Sequence, residues 1–135
     1  MSLDLEKLKS GFNFIKVGKL TNEVINLLGI EHKECDIIMW EDKFQYIHKH
    51  IVDFQSKETF EKCISKIPEV IAYPDYIGIH PTKNSIEYIK YIDELTIVAI
   101  RIKEGKLALK TVFPLSEKQL QDYIKCNTVI KISKK

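Results

Sequence analysis

The sequence predicts an α+β domain in which N-terminal helices pack on an antiparallel β-sheet and a C-terminal helix follows the sheet. Apolar residues recur at three- and four-residue spacing between residues 41 and 67, which is the period of amphipathic helices. After Pro74, short runs of β-branched and aromatic residues alternate with turn residues, as in strands joined by hairpins. The segment from Ser116 to Gln119 then has the form of a capping box, which opens a last helix.

The elements before residue 41 are short. Thr21 suits the N-cap of a helix over NEVINLL, and Gly29 suits its C-terminal stop. The run DIIMW, from Asp36 to Trp40, predicts a strand that leads directly into the next helix.

Two longer helices are predicted next, from Glu41 to about Phe54 and from about Lys57 to Ile67. Pro is acceptable in the first turn of a helix, so PEVIA predicts one further turn before Pro74 ends the helical half. The inward-facing positions of the two helices are Phe44, Ile47, Ile51, Phe54, Phe60, Cys63, Ile64 and Ile67.

The second half of the chain predicts an antiparallel meander. Its four β-rich runs are YIGI, IEYIKYI, LTIVAIRI and LALKTVF, separated by the turn clusters HPTKNS, DE and KEGK. Pro114 ends the last strand, and the final helix extends to about Lys125.

The third hairpin has a predicted register. A three-residue loop, Lys103 to Gly105, places only a glycine in the left-handed conformation, whereas a two-residue loop would place Glu104 there. Arg101 then faces Leu107, and Ile102 faces Lys106. By alternation, one face of the sheet carries Ile97, Ala99, Arg101, Leu107, Leu109 and Thr111, so Arg101 and Thr111 can serve one site.

Composition limits the class of protein. We expect one domain over residues 1–135, without repeats or linkers. A net charge of +2 is too small for a general DNA binder. We expect a cytoplasmic location, because no apolar run approaches the ~20 residues of a membrane span and no secretion signal is visible. Three widely spaced cysteines predict neither disulfides nor a zinc ribbon.

Two histidines are the first candidates for chemistry, because histidine exchanges protons near neutral pH. His48 and His50 lie roughly 200° apart around a helix axis, so at most one faces a given cleft. Helix geometry alone does not choose between them, and either can be a half-covered boundary residue. His32 and Cys35 lack the partners of a four-ligand zinc site, so no metal and no other cofactor is expected.

Three strand residues are further candidates. Lys90 alternates with Ile86 and Tyr88, where a lysine either protects an edge strand or binds an anion. Arg101 either pairs at the surface or grips a phosphoryl group with its planar fork. Thr111 alone is an ordinary strand threonine.

The segment from about Tyr46 to Tyr123 resembles the phage-associated nuclease domains of the BECR group, named for likeness to barnase, EndoU, colicin and RelE ribonucleases. The resemblance lies in the helical HKH at residues 48–50, then IPEVI, PDYIG, NSIEYIK, VAIRI and KTVFP followed by a helix. It implies a BECR or barnase-like fold with helices packed on an antiparallel sheet whose open face binds RNA. Tyr46 stands where the family pattern has an earlier helix histidine, and Phe113 stands where tyrosine is common.

The resemblance implies a metal-independent ribonuclease that cleaves RNA through its 2′-hydroxyl. His50, Lys90, Arg101 and Thr111 match the family's catalytic positions. Single-stranded RNA or tRNA is the expected partner, and an inhibitor or immunity protein is a further possible partner. The alternatives are a non-catalytic RNA- or protein-binding module, or an enzyme acting on another small substrate, since fold does not fix chemistry. The side chains expected to contact the substrate are Tyr46, Tyr76, Tyr88 and Phe113.

Overall fold

The computed structural model describes residues 2–80, 84–102 and 107–132. These residues form one mixed seven-stranded sheet with six α-helices and one 3₁₀ helix. The strands are β1 Phe14–Leu20, β2 Cys35–Trp40, β3 Tyr76–Ile79, β4 Ser85–Tyr91, β5 Leu95–Arg101, β6 Leu107–Pro114 and β7 Val129–Lys131. The α-helices are α1 Leu5–Lys9, α2 Asn22–Leu28, α3 Glu41–Ile47, α4 Lys57–Ser65, α5 Ile67–Ala72 and α6 Glu117–Lys125, and the 3₁₀ helix is His48–Asp53. No helix within the described ranges is long and apolar enough to cross a membrane.

The predicted meander is confirmed, because β3, β4, β5 and β6 are antiparallel neighbours in chain order. The strand order across the whole sheet is β1-β2-β6-β5-β4-β3-β7. β2 pairs with β6 in parallel, and this pairing makes the sheet mixed. No sequence pattern predicted α1, β1 or β7. In β1 a bulge at Val17 shifts the alternation between Lys16 and Gly18, so the apolar pattern does not keep a period of two.

The two faces of the sheet have different partners. On one face, here called the helix face, the strands pack against α4 and α5 through the larger hydrophobic cluster, which includes Ile37, Tyr88, Val98 and Leu109. The other face, here called the second face, is covered in part by α6. The cluster beneath α6 consists of Ile89, Leu95, Ile97, Leu115, Leu120 and Val129. The capping box that opens α6 is present, as predicted.

The predicted helix from Glu41 to Phe54 is wrong in its second half, where the chain becomes 3₁₀ after Ile47. The His48 side chain explains the change. Its Nδ1–H donates to the Phe44 carbonyl over 2.6 Å, and its backbone N–H bonds the carbonyl of Gln45 instead. A side chain that takes the i−4 carbonyl favours the tighter i−3 pattern.

The predicted hairpin register is wrong by one residue. Arg101 pairs with Ala108, not Leu107, so Leu107 and Leu109 lie on the helix face. The loop at residues 103–105 and the Ile102–Lys106 pair lie outside the described residues. Arg101 and Thr111 nevertheless share the second face, because Lys110 is an extra residue between the pairs Ala99–Thr111 and Ile100–Leu109. Because of this bulge, Thr111 lies on the same face as Arg101, as predicted, although the register differs by one residue.

Candidate active site

A shallow strip of the second face lies between α6 and the 3₁₀ helix. Glu87, Ala99 and Thr111 stand directly opposite one another on β4, β5 and β6, so their side chains form a row across the sheet. The middle residue is an alanine and is 4% exposed. The ends of the row are two strand spacings apart, roughly 10 Å. The row therefore places a carboxyl group at one end and a hydroxyl group at the other, with a small side chain between them.

His50 lies at the Thr111 end of this strip. Its ring centroid is 6.1 Å from that of Phe113, which projects from β6 on the second face. Its Nδ1–H donates to the Asp53 carboxylate over 2.8 Å. Residues three apart eclipse each other in a 3₁₀ helix, so the local conformation aligns this pair. With Nδ1 as the donor, Nε2 of the neutral ring carries the lone pair and can accept a proton.

His48 points to the opposite side of the same segment. Its ring contacts Phe44 and Phe60 edge to face, with centroid distances of 4.8 Å and 5.3 Å. Its Nδ1 is held by the Phe44 carbonyl. The structure thus places His48 in the packing of the helical layer and His50 beside the second face, a distinction that helix geometry alone did not make.

Tyr46 lies one turn before His50, with the two ring centroids 6.4 Å apart. The Nζ atoms of Lys49 and Lys43 lie 3.8 Å and 4.9 Å from the centre of its ring. Hydrogen bonding to Lys49, with the positive charges of Lys49, Lys43 and Lys110, lowers the pKa of the phenol. An exposed aromatic ring surrounded by lysines can bind an anionic, aromatic ligand.

Thr111 and Arg101 complete the set on the second face. The Thr111 hydroxyl oxygen is buried and has no hydrogen-bond partner among the described residues. A buried hydroxyl without a partner is costly unless a ligand or water satisfies it. Arg101 is exposed at the end of β5, two residues from Ala99 on the same face. Both side chains can therefore reach a ligand that lies over Ala99.

Three other predicted site residues lie elsewhere. Lys90 is on the helix face, where its ammonium donates to the Tyr73 carbonyl over 2.9 Å at the end of α5. Tyr88 is fully buried in the larger cluster, so its ring cannot stack on a ligand. Tyr76 is on the second face but packs beneath α6, beside a different cleft. Within the described part of the chain, no group of three or more His, Cys, Asp and Glu side chains could hold a metal ion.

Sequence reasoning missed three residues of this strip: Asp53, Glu87 and Lys110. Glu87 is buried to 4% exposure, and that burial raises the pKa of its carboxyl group, against the opposing charges of His80 and Lys110. Its signal in the sequence was a charged residue inside the apolar run IEYIKYI. Asp53 carried a weaker signal, because its three-residue spacing from His50 aligns the two side chains only in a 3₁₀ helix. No sequence signal identified Lys110, because its position beside the site depends on the bulge in β6.

The raised pKa of Glu87 predicts a pH-dependent stability. The folded protein binds this proton more tightly than the unfolded chain, so ionisation of Glu87 lowers the free energy of unfolding as pH rises above its ordinary pKa of 4.5. The substitution Glu87→Gln removes the ionisable group, so the free energy of unfolding no longer falls for this reason as pH rises. Urea denaturation of variant and parent should show a stability difference in favour of the variant that grows as pH rises from about 4.5 and levels off once the carboxyl group of the folded protein is ionised. Glu31→Gln, at an exposed position, is the control for removing one negative charge. A difference that shrinks as pH rises contradicts the burial of Glu87.

Comparison with known proteins agrees with this architecture. The searches of curated proteins and of solved structures found no match. The sequence model of the family described as phage-Barnase-EndoU-ColicinE5/D-RelE like nuclease3 matches residues 15–122, which extends the resemblance noted from residue 46 to include β1 and β2. This match covers most of the chain, including the four meander strands β3 to β6. The chain therefore belongs to this phage-associated nuclease family.

Proposed function

We propose that this domain is an endoribonuclease that cleaves RNA through the ribose 2′-hydroxyl without a metal ion. The observation that carries the proposal is the position of His50, which is oriented by Asp53 and lies beside Phe113 at the edge of the face that bears Thr111. In the reaction the 2′-oxygen loses its proton and bonds to phosphorus, and the bond from phosphorus to the 5′-oxygen breaks. The products are a 2′,3′-cyclic phosphate and a 5′-hydroxyl group.

His50 transfers one of the two protons in this proposal. Its Nδ1 is engaged with Asp53, which leaves Nε2 to take the proton of the 2′-hydroxyl or, when charged, to protonate the leaving oxygen. Asp53 is a positioning residue, because it fixes the ring orientation and favours the Nδ1–H tautomer. Carboxylates orient catalytic histidines in this way in other enzymes.

Tyr46 is our choice for the second proton transfer. It is 44% exposed, and its ring is next to that of His50. Neighbouring lysines lower the pKa of the phenol, which makes it a stronger acid than a free tyrosine. The substitution Tyr46→Phe keeps the ring and removes only the hydroxyl group, so it separates proton transfer from stacking.

The phosphate binds over Ala99 in this proposal. The Thr111 hydroxyl supplies a hydrogen bond, and Arg101 and Lys110 supply positive charge for the oxygens of the transition state. Preorganised charge of this kind is usually the largest single contribution to catalysis. Phe113 and Tyr46 give faces for bases to stack on, which favours single-stranded RNA, including the loops of tRNA.

Three residues that were expected at the site have structural roles in this proposal. Lys90 anchors the end of α5, and Tyr88 and Tyr76 belong to the packing. RNA in the cytoplasm is the proposed substrate. A cognate inhibitor or immunity protein, if the cell makes one, would act by covering His50 and the lysines around Tyr46.

The two histidines give the sharpest test of the catalytic assignment. His50→Ala should lower the cleavage rate of single-stranded RNA by ~10²-fold or more, because a proton-transfer group is lost. His48→Ala removes no proton-transfer group, so its rate per folded molecule should fall much less than that of His50→Ala, even though it loses the bond to the Phe44 carbonyl that favours the 3₁₀ helix. It should also lower the free energy of unfolding, because it removes ring contacts with Phe44 and Phe60.

Circular dichroism and thermal unfolding must first show that both variants are folded. A folded His50→Ala variant that cleaves as fast as the parent disproves the assignment. Binding of RNA without cleavage by the parent under any conditions would support the alternative of a non-catalytic binding module.

The chemistry itself predicts the products. Cleavage should survive EDTA, should leave 2′,3′-cyclic phosphate ends, and should spare DNA, which lacks the attacking hydroxyl. Mass spectrometry of the products of a short RNA, with a DNA of the same sequence as control, measures all three. Activity that returns only on addition of a divalent ion, or efficient cleavage of the DNA, would show a different mechanism.

A further inference from the structure

A second cleft lies on the same face of the sheet, where β2 and β6 separate. Among the described residues the two strands pair at Ile37–Leu107 and Ile38–Ala108, after which β2 ends at Trp40 and the chain enters α3. The opening that results has a volume of about 440 Å³. Its walls include Asn13, Trp40, Asp42, Lys43, Arg101 and Ala108. The small side chain of Ala108 leaves room between Arg101 on β5 and the end of β2.

Two aromatic side chains are exposed at this cleft. Trp40, which lines it, is 38% exposed, and Phe14, its partner on β1, is 51% exposed. Their ring centroids are 5.1 Å apart, so each ring helps to fix the other. Adjacent exposed aromatic rings are costly in water and are typical of a binding surface. Rings held in this way suit stacking with a nucleobase, because every base has a π-face.

The charges at the cleft complement a nucleotide. Arg101 and Lys43 are its cations. Of its two carboxylates, Glu41 already accepts a hydrogen bond from the backbone N–H of Phe12 over 2.9 Å. Asp42 is exposed at the rim and can accept from an amino group on the edge of a base. The cleft thus offers an aromatic face, a phosphate grip and a hydrogen-bond acceptor.

The cleft is continuous with the proposed catalytic centre. Lys43 lines the cleft and also lies over the Tyr46 ring, which is next to His50. From Trp40 to His50 the chain runs through α3 and half of the 3₁₀ helix, a distance of roughly 16 Å at 1.5 Å and 2 Å per residue. A stacked strand rises ~3.4 Å per nucleotide, so this distance corresponds to roughly four to five nucleotides.

We propose that the Trp40 cleft is a subsite for a nucleotide a few positions along single-stranded RNA from the cleaved phosphate. The base of that nucleotide stacks on Trp40, and its phosphate binds Lys43, since Arg101 is assigned to the cleaved phosphate. This inference rests on the proposed ribonuclease function, because it takes the occupant to be another part of the same substrate. Duplex RNA does not fit, because its bases are already stacked on each other.

Trp40 is the only tryptophan in the chain, so its fluorescence reports directly on this cleft. The probe is a 2′-O-methyl RNA oligonucleotide, which has no attacking hydroxyl and stays intact. Titration of the parent with the single-stranded probe should quench and shift the tryptophan emission, and the same probe annealed to its complement should do neither. The fluorescence anisotropy of a dye-labelled probe measures total binding in parallel.

Two variants test the stacking. Trp40→Ala should weaken binding of the labelled probe by roughly 5- to 100-fold, the range expected for loss of one base–aromatic stack. Trp40→Phe should stay within about threefold of the parent, because phenylalanine preserves a stacking face. Tyr73→Ala is the matched control, since Tyr73 is 63% exposed at the end of α5 in the helical layer. Its binding should equal that of the parent.

The outcomes separate this inference from the proposed function. Unchanged Trp40 emission while anisotropy shows the probe bound, or a Trp40→Ala variant that binds as tightly as the parent, overturns the subsite even if the protein cleaves RNA. Quenching of Trp40 by a protein that never cleaves RNA supports the subsite and rejects the nuclease assignment. Absence of any binding rejects both.

Discussion

The parallel pairing of β2 with β6 is the contact on which the candidate site depends. It brings two strands far apart in sequence together at two residue pairs, and it sets where the chain enters α3. Because α3 and the 3₁₀ helix then run beside the remaining half of β6, His50 reaches Phe113. The same separation of β2 from β6 opens the Trp40 cleft. One pairing therefore positions both regions to which we assign substrate contacts.

The arrangement of side chains on the second face depends on the bulge at Lys110 and on two alanines. Lys110 is the extra residue that returns Thr111 to the side of Arg101, and its own charge reaches both Glu87 and Tyr46. Ala99 and Ala108 are small residues on this face, and Ala108 lines the Trp40 cleft. Bulges are frequent beside active sites, because they redirect a side chain without ending the strand. The strip beside α6 and the Trp40 cleft are linked through Lys43, which lines the cleft and lies over the Tyr46 ring next to His50.

Local sequence patterns predicted most of the helices and strands, but they did not predict the pairing of segments that are far apart in sequence. Alternation identified β3 to β6, and the Ser116–Gln119 box identified the start of α6. Alternation also placed Lys90 with Tyr88, yet only the contact with the Tyr73 carbonyl shows what that lysine does. The His48 side chain, by taking the Phe44 carbonyl, changes the helix type, and no periodicity of apolar residues records that bond. The bulge at Lys110 and the pairing of β2 with β6 are non-local, so the one-residue error in register and the missed Trp40 cleft have the same cause.

The central claim is that His50, and not His48, faces the substrate. The most direct measurement is a long-range ¹H–¹⁵N NMR spectrum of the four histidine rings, with and without a 2′-O-methyl RNA oligonucleotide. We expect the His50 ring to be protonated at Nδ1 in its neutral form, because Asp53 accepts that proton, and we expect its Nε2 signal to move when the oligonucleotide binds. The His48 signals should stay in place. Movement of His48 alone, or of neither histidine while the oligonucleotide is bound, would contradict the claim.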